Sequence, residues 1–143
     1  MACPFFMPAD RLADDLWILP PRLPLNDAHR GVCRAAPEPY EPPERSQREL
    51  CNCGYARGRC ERFPAAHPAD AVRFSIAAER EGIVRLVYVM ERDYSPASHG
   101  VLEYSIAEAR VRGEISDLLA AQAQAFLASY LRRDRALAAR STP

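Results

Sequence analysis

Three of the five cysteines lie close together in the polar stretch Leu50–Pro64, at Cys51, Cys53 and Cys60. Two glycines and three arginines lie in the same stretch. Thiolates are soft ligands that suit zinc and iron–sulfur clusters, and glycines allow the backbone to direct N–H groups at sulfur. Free cysteines are also buried as small hydrophobic residues, but a polar, glycine-rich loop is a poor place to bury three of them. The stretch therefore predicts a metal centre, with plain thiols and disulfides as the alternatives.

A four-ligand centre needs the two remaining cysteines, which lie upstream in proline-broken chain. We predict that the ligands are Cys3, Cys33, Cys51 and Cys60. Cys51 and Cys60 bracket the loop, and Gly31 with other polar neighbours surrounds Cys33. Cys53 is the spare thiol, but it stays an alternative ligand, because residues two apart on an extended backbone point to the same side.

The cysteine spacing favours a [4Fe–4S]-type cluster over zinc. Structural zinc sites favour paired cysteines two to four residues apart, and this chain offers only a C-x-C pair. Zinc is the alternative, and His29 or His67 is available to complete a site of three cysteines and one histidine. The Cys3-Pro4 step resembles the one that ends the cysteine runs of bacterial ferredoxins, and the resemblance is limited to that step and to cysteine content.

Charge and motifs restrict the function. The net charge is zero, so no bulk electrostatic attraction to nucleic acid or membrane is expected. The chain contains no dinucleotide-binding, Walker or zinc-protease motif, which favours a role other than catalysis. We expect a small iron–sulfur protein that transfers electrons or senses redox state with an unidentified redox or protein partner. The alternatives are a zinc-stabilised interaction module without catalytic activity and, third, a thiol enzyme or peroxide sensor.

The expected compartment is the cytoplasm. The first residues lack the basic leader of a signal peptide, and no stretch approaches the roughly 18 apolar residues of a membrane helix. A reducing compartment disfavours structural disulfides and favours metal-binding or redox thiols.

The chain is expected to form one α+β domain, residues 1–143, with two dissimilar halves. Eleven of the thirteen prolines fall before residue 69, so residues 1–69 should be irregular and stapled by the metal. Within them we predict helices at Asp10–Trp17 and Pro43–Leu50, and a turn at Gly31–Cys33.

The second half, residues 70–135, is expected to be a three-stranded antiparallel sheet covered by one long C-terminal helix. Period-two alternation predicts strands at Ala71–Ala77, Ile83–Glu91 and Val101–Ile106. Apolar residues at helical spacing predict a helix from Glu114 to about Arg133, with residues 136–143 as a frayed tail.

Overall fold

Two short strands of the proline-rich half pair with each other. The structure is a computed structural model that describes residues 2–12, 25, 28–66 and 69–141, with side chains up to residue 133. Strand β1 (Phe6–Arg11) runs antiparallel to β2 (His29–Cys33). A Cβ at Gly31 would collide with the carbonyl of Met7, so this glycine permits the close approach of the two strands.

Two predictions in this half are corrected. The turn predicted at Gly31–Cys33 is wrong, because these residues belong to β2. The helix predicted from Asp10 is wrong at its start, because β1 continues through Asp10 and Arg11. The remainder of that predicted helix, from residue 13 to 17, lies outside the described residues.

The chain re-enters regular structure at Pro43, as its fixed φ and the following acidic residue predict. The short helix α1 (Glu44–Ser46) continues directly into a π-helical turn, Gln47–Cys51. The helix predicted at Pro43–Leu50 is therefore present, but its second part is π-helical and ends at Cys51. Single π turns occur frequently at functional sites.

The second half contains a four-stranded antiparallel sheet, in the order β3 (Ala71–Arg80), β4 (Ile83–Arg92), β5 (Ser95–Ser105) and β6 (Arg110–Arg112). The prediction of three strands is wrong, because β6 is too short to show alternation. The turn between β3 and β4, at Glu81–Gly82, lies between the strands predicted at Ala71–Ala77 and Ile83–Glu91.

The β4–β5 connection is shorter than predicted. Asp93 and Tyr94 both adopt positive φ, at 51° and 64°, and make a two-residue turn without glycine. Strand β5 therefore begins at Ser95 and not at Val101.

One long helix, α2 (Asp117–Ser141), covers one face of the sheet, as predicted. It begins three residues later than predicted and continues through residues 136–141, which were predicted to belong to a frayed tail. It begins after Ser116, whose hydroxyl accepts a hydrogen bond from the Leu119 amide at 3.1 Å. The buried core contains Val72, Phe74, Val84, Leu86 and Leu102 of the sheet with Leu119, Ala123, Phe126 and Leu127 of the helix. No helix in the described part of the chain has the length and hydrophobicity needed to cross a membrane.

Candidate metal centre

A single cavity of about 300 Å³ brings four thiols together. The four are the predicted ligands Cys3, Cys33, Cys51 and Cys60, and all five cysteines of the chain are free thiols. Each of the four comes from a different segment. Four segments of the first half therefore meet at this cavity.

Backbone hydrogen bonds hold each thiol in place. The Cys3 amide donates to the Cys51 carbonyl at 3.0 Å, which joins the start of the chain to the π turn. Cys33 and Tyr40 exchange two backbone hydrogen bonds, at 2.6 and 3.1 Å. The Cys60 amide donates to the Ala56 carbonyl at 2.8 Å in a turn of its own.

Cys53 stands apart from the other four cysteines. Its side chain is exposed, does not line the cavity, and donates to the Arg48 carbonyl at 3.3 Å. The backbone from Cys51 to Cys53 is helical and turning rather than extended, so the two thiols do not point to the same side. The geometry thus separates Cys53 from the four thiols of the cavity.

Two buried amide side chains that the sequence analysis missed fix the cysteine loop to β2. Asn52 exchanges hydrogen bonds of 2.8 Å with both the amide and the carbonyl of His29, and donates a third to the Gln47 carbonyl. Gln47 accepts from the Gly31 amide at 3.0 Å and donates to the Pro42 carbonyl at 2.7 Å. Nothing in the sequence distinguishes these two residues from exposed residues of a polar loop.

Burial and the neighbouring thiols shift the pKa values of two cysteines of the cavity. Burial raises the pKa of the Cys3 thiol to about 12; the Phe5 amide opposes this, and the thiols of Cys33 and Cys60 raise the pKa further. Burial also raises the pKa of Cys51 to about 12, with further contributions from the other three thiols. Four thiolates in this cavity would repel one another, and a bound cationic centre removes that repulsion by taking all four as ligands.

Aromatic rings and arginines complete the wall of the cavity. Phe5 and Phe63 meet edge to face, with ring centroids 5.5 Å apart. The Arg62 guanidinium lies 3.6 Å above the centre of the Tyr40 ring. Arg59 also lines the cavity. Apolar walls limit the access of water to the four sulfurs.

A single ion and a cluster require different spacings of the four sulfurs. Among the described residues, no three cysteine, histidine, aspartate or glutamate side chains are arranged to hold a metal ion. A tetrahedral zinc with Zn–S bonds of about 2.3 Å draws its four sulfurs to about 3.8 Å from one another. In a [4Fe–4S] cluster each thiolate binds a different iron, so the four sulfurs enclose a larger volume.

His29, one of the two histidines of the zinc alternative, does not line the cavity. His29 is buried on β2, where its backbone is bonded to Asn52. His67 lies outside the described residues, so the suggestion that it is a ligand stays a prediction.

A second network joins the cysteine loop to the sheet. The Tyr55 hydroxyl donates to Glu91 at 2.6 Å and accepts from the Tyr94 amide at 3.0 Å. Burial and the Glu91 hydrogen bond raise the pKa of Tyr55 to about 12. The buried Asp70 carboxylate accepts from Arg57 and from the amide of the β4–β5 turn. The loop that carries Cys51 and Cys60 is therefore bonded to β2 through Asn52 and to the four-stranded sheet through Tyr55.

Comparison with models of protein families, with curated proteins and with solved structures finds no match to this chain. The argument for a function therefore depends on the geometry and chemistry of the cavity.

Proposed function

We propose that Cys3, Cys33, Cys51 and Cys60 hold a [4Fe–4S] cluster, and that the protein transfers electrons or senses redox state. The observation that carries the proposal is the convergence of four thiols, from four segments of the chain, on one cavity of about 300 Å³. Four cysteines are the ligand set that such a cluster takes.

The all-cysteine ligand set favours electron transfer over substrate chemistry. Catalytic metal sites leave a coordination position open for water or substrate, whereas structural sites are closed by protein ligands. Four thiolates on four irons leave no iron position open. When bound, the cluster supplies a one-electron redox couple, and the protein sets its potential by burial and by hydrogen bonds to sulfur. A redox or other protein partner would then exchange electrons at the cavity mouth.

The same ligands would stabilise the first half of the protein. The N-terminal segment, β2, the π turn and the Cys60 turn each contribute one thiol. Because a ligand set of this kind is assembled only on folding, the free energy of metal binding becomes folding free energy. We therefore propose that the centre staples residues 1–69.

Anaerobic purification of matched cysteine variants tests the proposal. Wild-type protein should be brown and contain iron and sulfide, and Cys60→Ser and Cys51→Ser should lose iron and solubility together. Cys53→Ser is the matched control, because Cys53 is exposed and does not line the cavity, and it should keep its iron.

Other outcomes decide against the cluster. A colourless wild-type protein with one zinc per chain would support the zinc-stabilised module. Equal loss of iron in all three variants would refute the choice of Cys53 as the spare thiol. A folded protein with neither metal would refute both proposals and leave a thiol-based function.

A further inference from the structure

Gln122 connects the C-terminal helix to the segment that carries Cys3. It is fully buried on α2, at 0 % exposure. Its side-chain amide donates to the Cys3 carbonyl at 2.8 Å and to the Phe6 carbonyl at 2.7 Å. A signal for this residue is present in the sequence, because Gln122 follows Leu119 by three positions and precedes Phe126 by four. That spacing places a polar side chain on the predicted apolar face.

The two carbonyls that Gln122 holds belong to one tight turn. The Phe6 amide donates back to the Cys3 carbonyl at 3.1 Å and closes this turn. The backbone amides of Phe5 and Phe6 also form hydrogen bonds to the Cys3 sulfur. The orientation of these two N–H groups therefore depends on the turn that Gln122 holds.

Gln122 is not well suited to packing alone. Its carbonyl oxygen is buried and has no hydrogen-bond partner among the described residues. A buried acceptor without a partner is destabilising, and leucine or methionine would fill the same space without one. What a glutamine adds here, and an apolar residue does not, is the pair of N–H groups directed at the turn.

We propose that Gln122 is a positioning residue that holds the Cys3 turn so that the Phe5 and Phe6 amides stay directed at the Cys3 sulfur. The consequence for the reduction potential rests on the cluster proposed above. N–H···S hydrogen bonds stabilise the more negative, reduced form of a cluster and raise its potential. Gln122 thus links the packing of α2 on the sheet to the redox behaviour of the centre.

The test compares Gln122→Met with Ser129→Ala. Methionine is close in size to glutamine but donates no hydrogen bond. Ser129 is a matched control, because it is equally buried on the same helix and its hydroxyl has no partner among the described groups. We expect the midpoint potential of Gln122→Met to become more negative, and that of Ser129→Ala to stay unchanged. A tenfold change in the reduction equilibrium is about 59 mV for one electron.

The outcomes separate this inference from the cluster proposal. Equal potentials for wild type and Gln122→Met would overturn the positioning role while leaving the cluster intact. If wild type contains no iron, the cluster proposal fails, and alkylation of the purified proteins by iodoacetamide decides the positioning role alone. Slower alkylation of Cys3 alone in Gln122→Met would then support it, because the Cys3 thiolate would lose the two N–H groups that stabilise it, and any other pattern would refute it. Should Gln122→Met not fold, Gln122→Asn, whose shorter amide cannot reach both carbonyls, gives the same comparison.

Discussion

Replacing Asn52 by alanine should destabilise the protein strongly although the residue is no candidate ligand. Its side chain is 1 % exposed and makes three hydrogen bonds of 2.8 Å to the backbone of His29 and Gln47. A buried hydrogen bond contributes about 1 kcal/mol net, so the loss of three predicts about 3 kcal/mol. Proteins of this size have a total stability of about 5–15 kcal/mol, so the change removes a large share.

Urea denaturation of anaerobically handled protein measures this loss. With a slope of about 2 kcal/mol/M, a loss of about 3 kcal/mol lowers the unfolding midpoint by about 1.5 M. Gln124→Ala is the control, because Gln124 is an exposed amide side chain on α2 and should change the midpoint little. A midpoint for Asn52→Ala that matches the control would show that the Asn52 network does not fix the cysteine loop.

Two further predictions concern the network at Tyr55 and the first hairpin. In a spectrophotometric titration, Tyr55 should ionise near pH 12, and Tyr55→Phe should remove this step. Because the folded-state pKa is raised, this contribution to stability is present below about pH 10 and is lost as the pH rises through 12. A wild-type and a Tyr55→Phe protein with the same stability profile above pH 10 would contradict the assignment. Gly31→Ala should lower the unfolding midpoint by several kelvin, since its methyl group would collide with the Met7 carbonyl and separate β1 from β2, and a calorimetric midpoint equal to that of wild type would refute this steric argument.

Elements with a strong periodic pattern could be predicted from the sequence. Alternation along Ile83–Glu91 identified β4, the strand that lies between two neighbours in the sheet. Helical spacing identified α2 and the face that packs on that sheet. In both cases the burial of one face dictates the pattern, so the pattern can be found without knowledge of the partner.

Elements determined by close backbone contact could not be predicted in this way. Gly31 was interpreted as a turn residue because nothing local indicates that β1 approaches it. The turn at Asp93 and Tyr94 lacks the glycine that a left-handed conformation normally favours. Strand β6 has only three residues and pairs with the end of β5, so its existence depends on tertiary packing.

The set of four cysteines that line one cavity could be predicted from the sequence, but the residues that support them could not. Cysteine type and spacing identified the four thiols that line the cavity, because soft ligands in a polar loop have few other uses. The amide side chains of Asn52 and Gln47 support the cysteine loop through the backbone of distant segments. Their role therefore appears only when the fold is known.

Iron and acid-labile sulfide, measured per chain in protein purified without oxygen, test the proposed centre most directly. We predict about four of each, together with a visible absorption that bleaches on reduction. A monodisperse, fully folded preparation that contains no iron and no sulfide would contradict the proposal that the four converging cysteines form a cluster site.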